Sequence, residues 1–194
     1  IPVVSIVDMG MVRDVVVAQV FGAGGGADAF FVAFKIPNFF RRLFAEGAFS
    51  QAFVPVLSEY RTKRSLAEVQ LLVSHTAGSL GGVLALLTIV CAIFAPQVTY
   101  LFAPGFSAQE DKFQLASDML LLTFPYLMMI SLTGFVGSIL NSYGRFGVPA
   151  FTPVLLNVVL ILCALFLAPF IDPPIVALAW GVLIAGVVQF VFQL

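Results

Sequence analysis

Apolar residues run through this chain in six long blocks, at about 2–21, 28–57, 70–103, 117–140, 148–170 and 175–194. Each approaches or exceeds the ~20 residues that a helix needs to cross the hydrocarbon core of a bilayer. The blocks are continuous rather than alternating, and in lipid only helices or closed barrels satisfy the backbone, so the pattern predicts helices. The expected fold is an all-α integral membrane protein, a bundle of about six transmembrane helices.

The polar connections predict a topology. A glycine-rich turn, Phe21 to Ala27, joins the first two blocks. The stretch 58–68 carries Arg61, Lys63 and Arg64; 104–118 carries Glu110, Asp111, Lys112 and Asp118; 141–147 carries Arg145 alone; and 171–174 carries Asp172. Basic connections alternate with neutral or acidic ones. The positive-inside rule then puts the N-terminus, 58–68 and 141–147 in the cytoplasm, and the glycine turn, 104–118 and 171–174 outside.

The second block is the unusual one. It is long enough to span, yet Asp28, Lys35, Arg41, Arg42 and Glu46 sit among its phenylalanines. A charge near the bilayer centre costs at least ~2.5–3.5 kcal/mol on insertion scales, so these must face something wet or oppositely charged. At 100° per residue Asp28, Lys35, Asn38, Arg42, Glu46 and Ser50 share one side of a helix, within an arc of about 120°, with Arg41 about a quarter turn away. Pro37 frees the carbonyl of Ala33 and is expected to kink the helix. A basic amphipathic helix lying in the interface is the plain alternative. The stripe is narrow, however, and carries both signs of charge, which fits a membrane-crossing helix that lines a hydrophilic cavity.

Composition agrees with a membrane location. The chain is 61% hydrophobic and 10% charged, against about 25% charged in soluble domains, and its mean hydropathy is +1.09. The net charge of −1 argues against a nucleic-acid partner. Asp8, Arg13 and Asp14 inside the first block argue against a cleavable signal peptide. The chain starts at Ile1 and stops at Leu194 inside an apolar block, which reads as part of a longer protein. Cys91 and Cys163 lie in separate apolar runs without metal-ligand spacing and read as buried fillers. No nucleophile–base pair, metal cluster or P-loop is present, so neither an enzyme nor a cofactor is expected.

The remaining polar residues suggest particular jobs. Arg13 lies about ten residues into its block, far for its side chain to reach an interface, and is expected to turn toward the cavity, with Asp14 pairing to Lys35 or Arg42. Asp8 is expected to be solvated. Arg13, Arg41 and Arg42 together could hold a multiply charged oxyanion such as a diphosphate through paired, directed hydrogen bonds. Internal salt bridges with Asp14, Asp28 and Glu46 are the structural alternative, and counting charges does not separate the two. His75 reads as structural, and Asn157, in the middle of its block, needs a partner, either a bond to another helix or the cavity. Gly78 with Gly82, and Gly134 with Gly137 and Ser138, form small-residue faces expected to pack against other helices. Pro125, Pro149 and Pro153 mark kinks.

The stretch RDVVVAQVFGAGGGADAFFVAFKIPNFFRRLFAEGAFSQAFVPVLSEY, Arg13 to Tyr60, closely resembles the MurJ/MviN family of bacterial lipid II flippases. LFAPGF (101–106), TFPYLMMISL (123–132), ILNSYGRFGVPAFTPVLLN (139–157) and PPIVALAW (173–180) resemble the same family. The resemblance implies an N-terminal six-helix lobe, residues 1–194, of a two-lobe transporter in the multidrug/oligosaccharidyl-lipid/polysaccharide exporter superfamily. It implies movement of the undecaprenyl-diphosphate-linked peptidoglycan precursor between leaflets of the cytoplasmic membrane by alternating access. Implied partners are lipid II, membrane lipids, a C-terminal lobe and cell-wall synthesis proteins. The family's functional positions fall on Arg13, Asp14, Asp28, Arg41, Arg42 and Glu46 of this sequence; with Lys35 and Asn38 from the helical stripe they form the candidate substrate-binding set. One departure stands out: where the family carries Ser-Arg in an S-R-x-x-G pattern, this chain has Ile6-Val7-Asp8-Met9-Gly10, so a cavity cation is missing at Val7.

Two other functions fit the same features. An ion-coupled drug or polysaccharide exporter is one; an exporter of cations should display cavity acids more than arginines. A membrane scaffold is the other, and it requires a dry interior with every charge paired across helices.

Overall fold

The computed structural model describes residues 3–22, 24–42 and 48–194. Nine α-helices are assigned among them and no strand. These are α1 (Val3–Phe21), α2 (Gly25–Arg41), α3 (Ala48–Lys63), α4 (Leu66–Ile93), α5 (Ala95–Phe102), α6 (Glu110–Thr123), α7 (Pro125–Ser142), α8 (Gly147–Leu162) and α9 (Val176–Gln193). By length and hydropathy Leu66–Ile93, Glu110–Ser142, Gly147–Phe170 and Val176–Gln193 can each cross a membrane. The all-helical membrane architecture expected from the apolar blocks is therefore present.

The helix boundaries differ from those blocks. In the second block the described residues give α2 up to Arg41 and α3 from Ala48, with 43–47 outside them. The third divides at Phe94, where Pro96 opens α5, and the fourth at Phe124, before Pro125 opens α7. A proline lacks the N–H that would continue the preceding turn but suits the first turn of a new helix, so these blocks bend where the sequence places it there. The fifth loosens into a π turn at Cys163–Leu167 and a 3-10 turn at Ala168–Phe170.

Local signals account for several ends. Gly22, with φ of +69°, closes α1 in a backbone region that only glycine enters freely. Gly144 (φ +76°) ends α7: its N–H donates to Asn141, and the Arg145 N–H donates to Leu140, the paired bonds of a Schellman motif. Ser65 and Glu68 form a reciprocal capping box at the start of α4.

Helix α9 is the centre of the bundle and packs on α8, α7, α6 and α2. Its buried face is made of small residues, Ala177, Ala179, Gly181, Ala185 and Gly186 among them. A Cβ at Gly186 would lie 2.8 Å from the Tyr126 ring, and one at Gly181 would lie 3.1 Å from Cys163 and Leu160. These glycines let the backbones approach closely. The expected small-residue packing at Gly78 and Gly82 is not what is found: nothing lies within 4 Å of a Cβ at either. Most of α4 faces outward; its first half joins α3 and α7 in a second core of Phe53, Leu57, Val69 and Phe135, and Leu84 and Cys91 reach the main core. Cys91 and Cys163 are buried and unbridged.

Candidate functional site

Helix α2 presents two polar surfaces. Asp28, Phe31, Lys35, Phe39 and Arg42 are exposed, while Ala29, Phe30, Ala33, Ile36 and Pro37 are buried. Steps of three, four and seven residues return to nearly the same side of a helix, so the predicted stripe holds for Asp28, Lys35 and Arg42. Asn38, three residues from Lys35 and four from Arg42, lies at the edge of that stripe and Arg41 lies beyond it; both are half-buried and line a cavity of about 490 Å³. The Arg41 Nε donates to Asn38 Oδ1 at 3.3 Å, which ties the two together.

That cavity is framed by α2, α7, α8 and α9, whereas Arg13 of the first block was expected to turn toward it. Helix α7 contributes Thr133, Gly137, Ser138 and Asn141; α8 contributes Thr152; α9 contributes Gln189 and Gln193. Gln189 Nε2 donates to the Thr152 carbonyl at 2.9 Å, and Gln193 Nε2 donates to Thr152 Oγ1 at 2.7 Å. Sequence reasoning missed Thr152, Gln189 and Gln193. The signal was two glutamines four residues apart in an otherwise apolar helix. That spacing puts both on one face, and polar side chains in membrane helices turn to other helices rather than to lipid.

Arg13 lies elsewhere. Its Nε and Nη2 donate to Asp14 Oδ1 at 2.9 and 2.7 Å, and its Nη1 donates to Asn157 Oδ1 at 3.0 Å. The expected pairing of Asp14 with Lys35 or Arg42 is therefore replaced by one with its neighbour Arg13. Long flexible side chains on adjacent positions can fold onto each other even though their Cβ atoms diverge. Asn157, buried in α8, has found the partner it needed. Arg13 and Asp14 border a crevice of about 20 Å³ walled by Phe30, Phe31 and Phe34, separate from the large cavity. The arginines thus occupy separate places: Arg41 at the cavity, Arg13 at the crevice, Arg42 on the exposed face.

Asp28 is at the far end of α2 and pairs with Lys112 at 2.7 Å, whose ammonium also lies 4.4 Å from the centre of the Phe106 ring. Lys35 and Arg42 have no ion pair among the described residues. Glu46 lies outside the described residues, as do the side chains of Val7, Asp8 and Ser50. His75 is exposed on α4. No group of three or more histidine, cysteine, aspartate or glutamate side chains that could hold a metal occurs among the described residues.

The sequence profile described as Lipid II flippase MurJ matches residues 17–194. This chain belongs to that family. It is 47% identical to the Probable lipid II flippase MurJ of Haemophilus influenzae and 49% identical to that of Vibrio cholerae, in each case over 96% of this chain. Among solved structures it is similar to Lipid II flippase MurJ, inward closed conformation, with a TM-score of 0.81 and 33% identity over 94% of this chain. The chain spans 38% of the Haemophilus influenzae relative, 37% of the Vibrio cholerae relative and 38% of the solved structure.

Proposed function

We propose that this chain acts as the N-terminal lobe of a two-lobe lipid II flippase in the bacterial cytoplasmic membrane. The assembled protein moves the undecaprenyl-diphosphate-linked peptidoglycan precursor from the inner to the outer leaflet by alternating access. It forms and breaks no covalent bond. The N-terminus and the turns near Arg64 and Arg145 face the cytoplasm. Lipid II is the cargo, membrane lipids surround the bundle, and a C-terminal lobe completes the transport path, with cell-wall synthesis proteins as further partners.

The observation that carries this reading, beside family membership, is the exposed charge on α1 and α2. Asp14 keeps 58% of its side chain exposed halfway along α1, and Lys35 is exposed within α2. Charge in the middle of a membrane helix avoids lipid and faces a protein interior or a water-filled space. Such a face fits one wall of a hydrated path whose other wall is a second body, as alternating access requires. Arg13, Arg41 and Arg42 supply guanidinium groups for a diphosphate as the lobes rock. A scaffold would need a dry interior with its charges paired. The polar cavity and the unpaired Lys35 and Arg42 among the described residues weigh against it.

Complementation tests the reading. Arg13→Ala and Arg41→Ala in the full-length protein should each fail to rescue a flippase-deficient bacterium while still inserting in the membrane. Normal growth of both variants would defeat the assignment.

A further inference from the structure

Asn157 is buried on α8, the helix that packs against α1. Its amide works in two directions. The Nδ2 donates to the Pro153 carbonyl of its own helix at 3.4 Å, and the Oδ1 accepts from Arg13 Nη1 at 3.0 Å. A guanidinium can only donate, so the oxygen must be the end that faces Arg13. With its nitrogen tied to α8, that oxygen is a fixed point on a packed helix.

Arg13 needs such a point. Its other described partner, Asp14, is the next residue on the same helix and keeps 58% of its side chain exposed. Two adjacent side chains that hold each other at a wet surface can swing together. Among the described residues the Asn157 bond alone ties the guanidinium to a second helix.

The neutrality of the amide decides what this bond is for. A carboxylate at position 157 would grip a guanidinium more strongly, through a charge-assisted pair, and would serve a purely structural contact at least as well. It would also cancel the positive charge of Arg13. The amide orients the group and leaves that charge in place. A guanidinium has five N–H groups, and three of those on Arg13 are taken by Asp14 and Asn157. Two therefore remain for an incoming anion among the described contacts.

We propose that Asn157 is the positioning residue of Arg13, a neutral acceptor that fixes the guanidinium and keeps its charge available. The inference deepens the transport reading and rests on it for what Arg13 then binds. The clamp itself stands on the geometry of Asn157, Pro153 and Arg13.

Two measurements on the purified full-length protein test it. The first is the rate at which phenylglyoxal modifies Arg13, followed by peptide mapping. Asn157→Leu should raise that rate about tenfold, the loss of one hydrogen bond to a charged group, and leave the rate at exposed Arg64 unchanged. Asn157→Asp should not raise it. An unchanged Arg13 rate in the leucine variant, or a rise at Arg64 as well, would overturn the proposal.

The second measurement is lipid II binding by native mass spectrometry. Asn157→Leu and Asn157→Asp should each weaken it about tenfold, although the aspartate variant should melt at or above the parent temperature. In an Arg13→Ala background, Asn157→Leu should add less than about a twofold loss. Equal losses with and without Arg13, or parent-like binding by the aspartate variant, would overturn the proposal. If the parent binds no lipid II, the transport reading fails, and the phenylglyoxal rates still decide whether Asn157 holds Arg13.

Discussion

Thr123, fully buried on α6, donates its hydroxyl to the Ala33 carbonyl of α2 at 2.9 Å. Pro37 has no N–H to offer that carbonyl, so the threonine supplies the missing bond from another helix. Helix α2 runs on through Pro37 and carries Asn38 and Arg41 to the cavity. Thr123→Val keeps the shape and removes the donor. It should destabilise the protein by about 1–3 kcal/mol, the cost of an unsatisfied buried carbonyl, and Thr123→Ser should restore most of the loss. Thermal unfolding in detergent reads both.

Gly186 and Gly78 make opposite predictions. Gly186→Ala pushes a methyl to 2.8 Å from the Tyr126 ring and 3.1 Å from Met129. Overpacking of this kind costs about 1–3 kcal/mol, so the melting temperature should fall. Gly78→Ala meets nothing within 4 Å, and it should leave the melting temperature unchanged or raise it.

Arg13 bridges Asp14 and Asn157 through separate nitrogens of one guanidinium. A lysine ammonium is a point charge on a flexible stem and lacks that planar fork. Arg13→Lys should therefore complement a flippase-deficient strain little better than Arg13→Ala. Growth with the lysine variant at the wild-type rate would show that charge alone suffices there.

The Asp28–Lys112 pair is open to solvent on the acid side, with 62% of the Asp28 side chain exposed. Exposed pairs contribute about 0.2–1 kcal/mol in double-mutant cycles. A cycle on Asp28→Asn and Lys112→Gln should give a coupling in that range and lose most of it in high salt.

The parts of the fold that sequence reveals are those set by local period and composition. Six apolar blocks gave the helical membrane class, and seven-residue spacing correctly put Asp28, Lys35 and Arg42 on one face. The parts it hides depend on which helix comes next to which. Ala33 finds Thr123 90 residues away, and Arg13 finds Asn157 144 residues away. The GxxxG spacing at Gly78 looked like a packing face, while the close approaches occur at Gly181 and Gly186, because α9 is central and α4 is peripheral. Attention to charge also drew the candidate site toward arginines and away from Gln189 and Gln193, whose weight appears only when their shared partner Thr152 is seen. Arg41 and Asn38 were legible; their separation from Arg13 was not.

Labelling of single cysteines in intact membranes addresses the central claim, that the charged face of α1 and α2 borders water within the bilayer. The native Cys91 and Cys163 are buried, so background reaction is low. Lys35→Cys and Asp14→Cys should react with a water-soluble maleimide, while Val83→Cys on the outward apolar surface of α4 should not. Protection of positions 14 and 35 to the same degree as position 83 would mean that this face is sealed from water, and it would contradict the account.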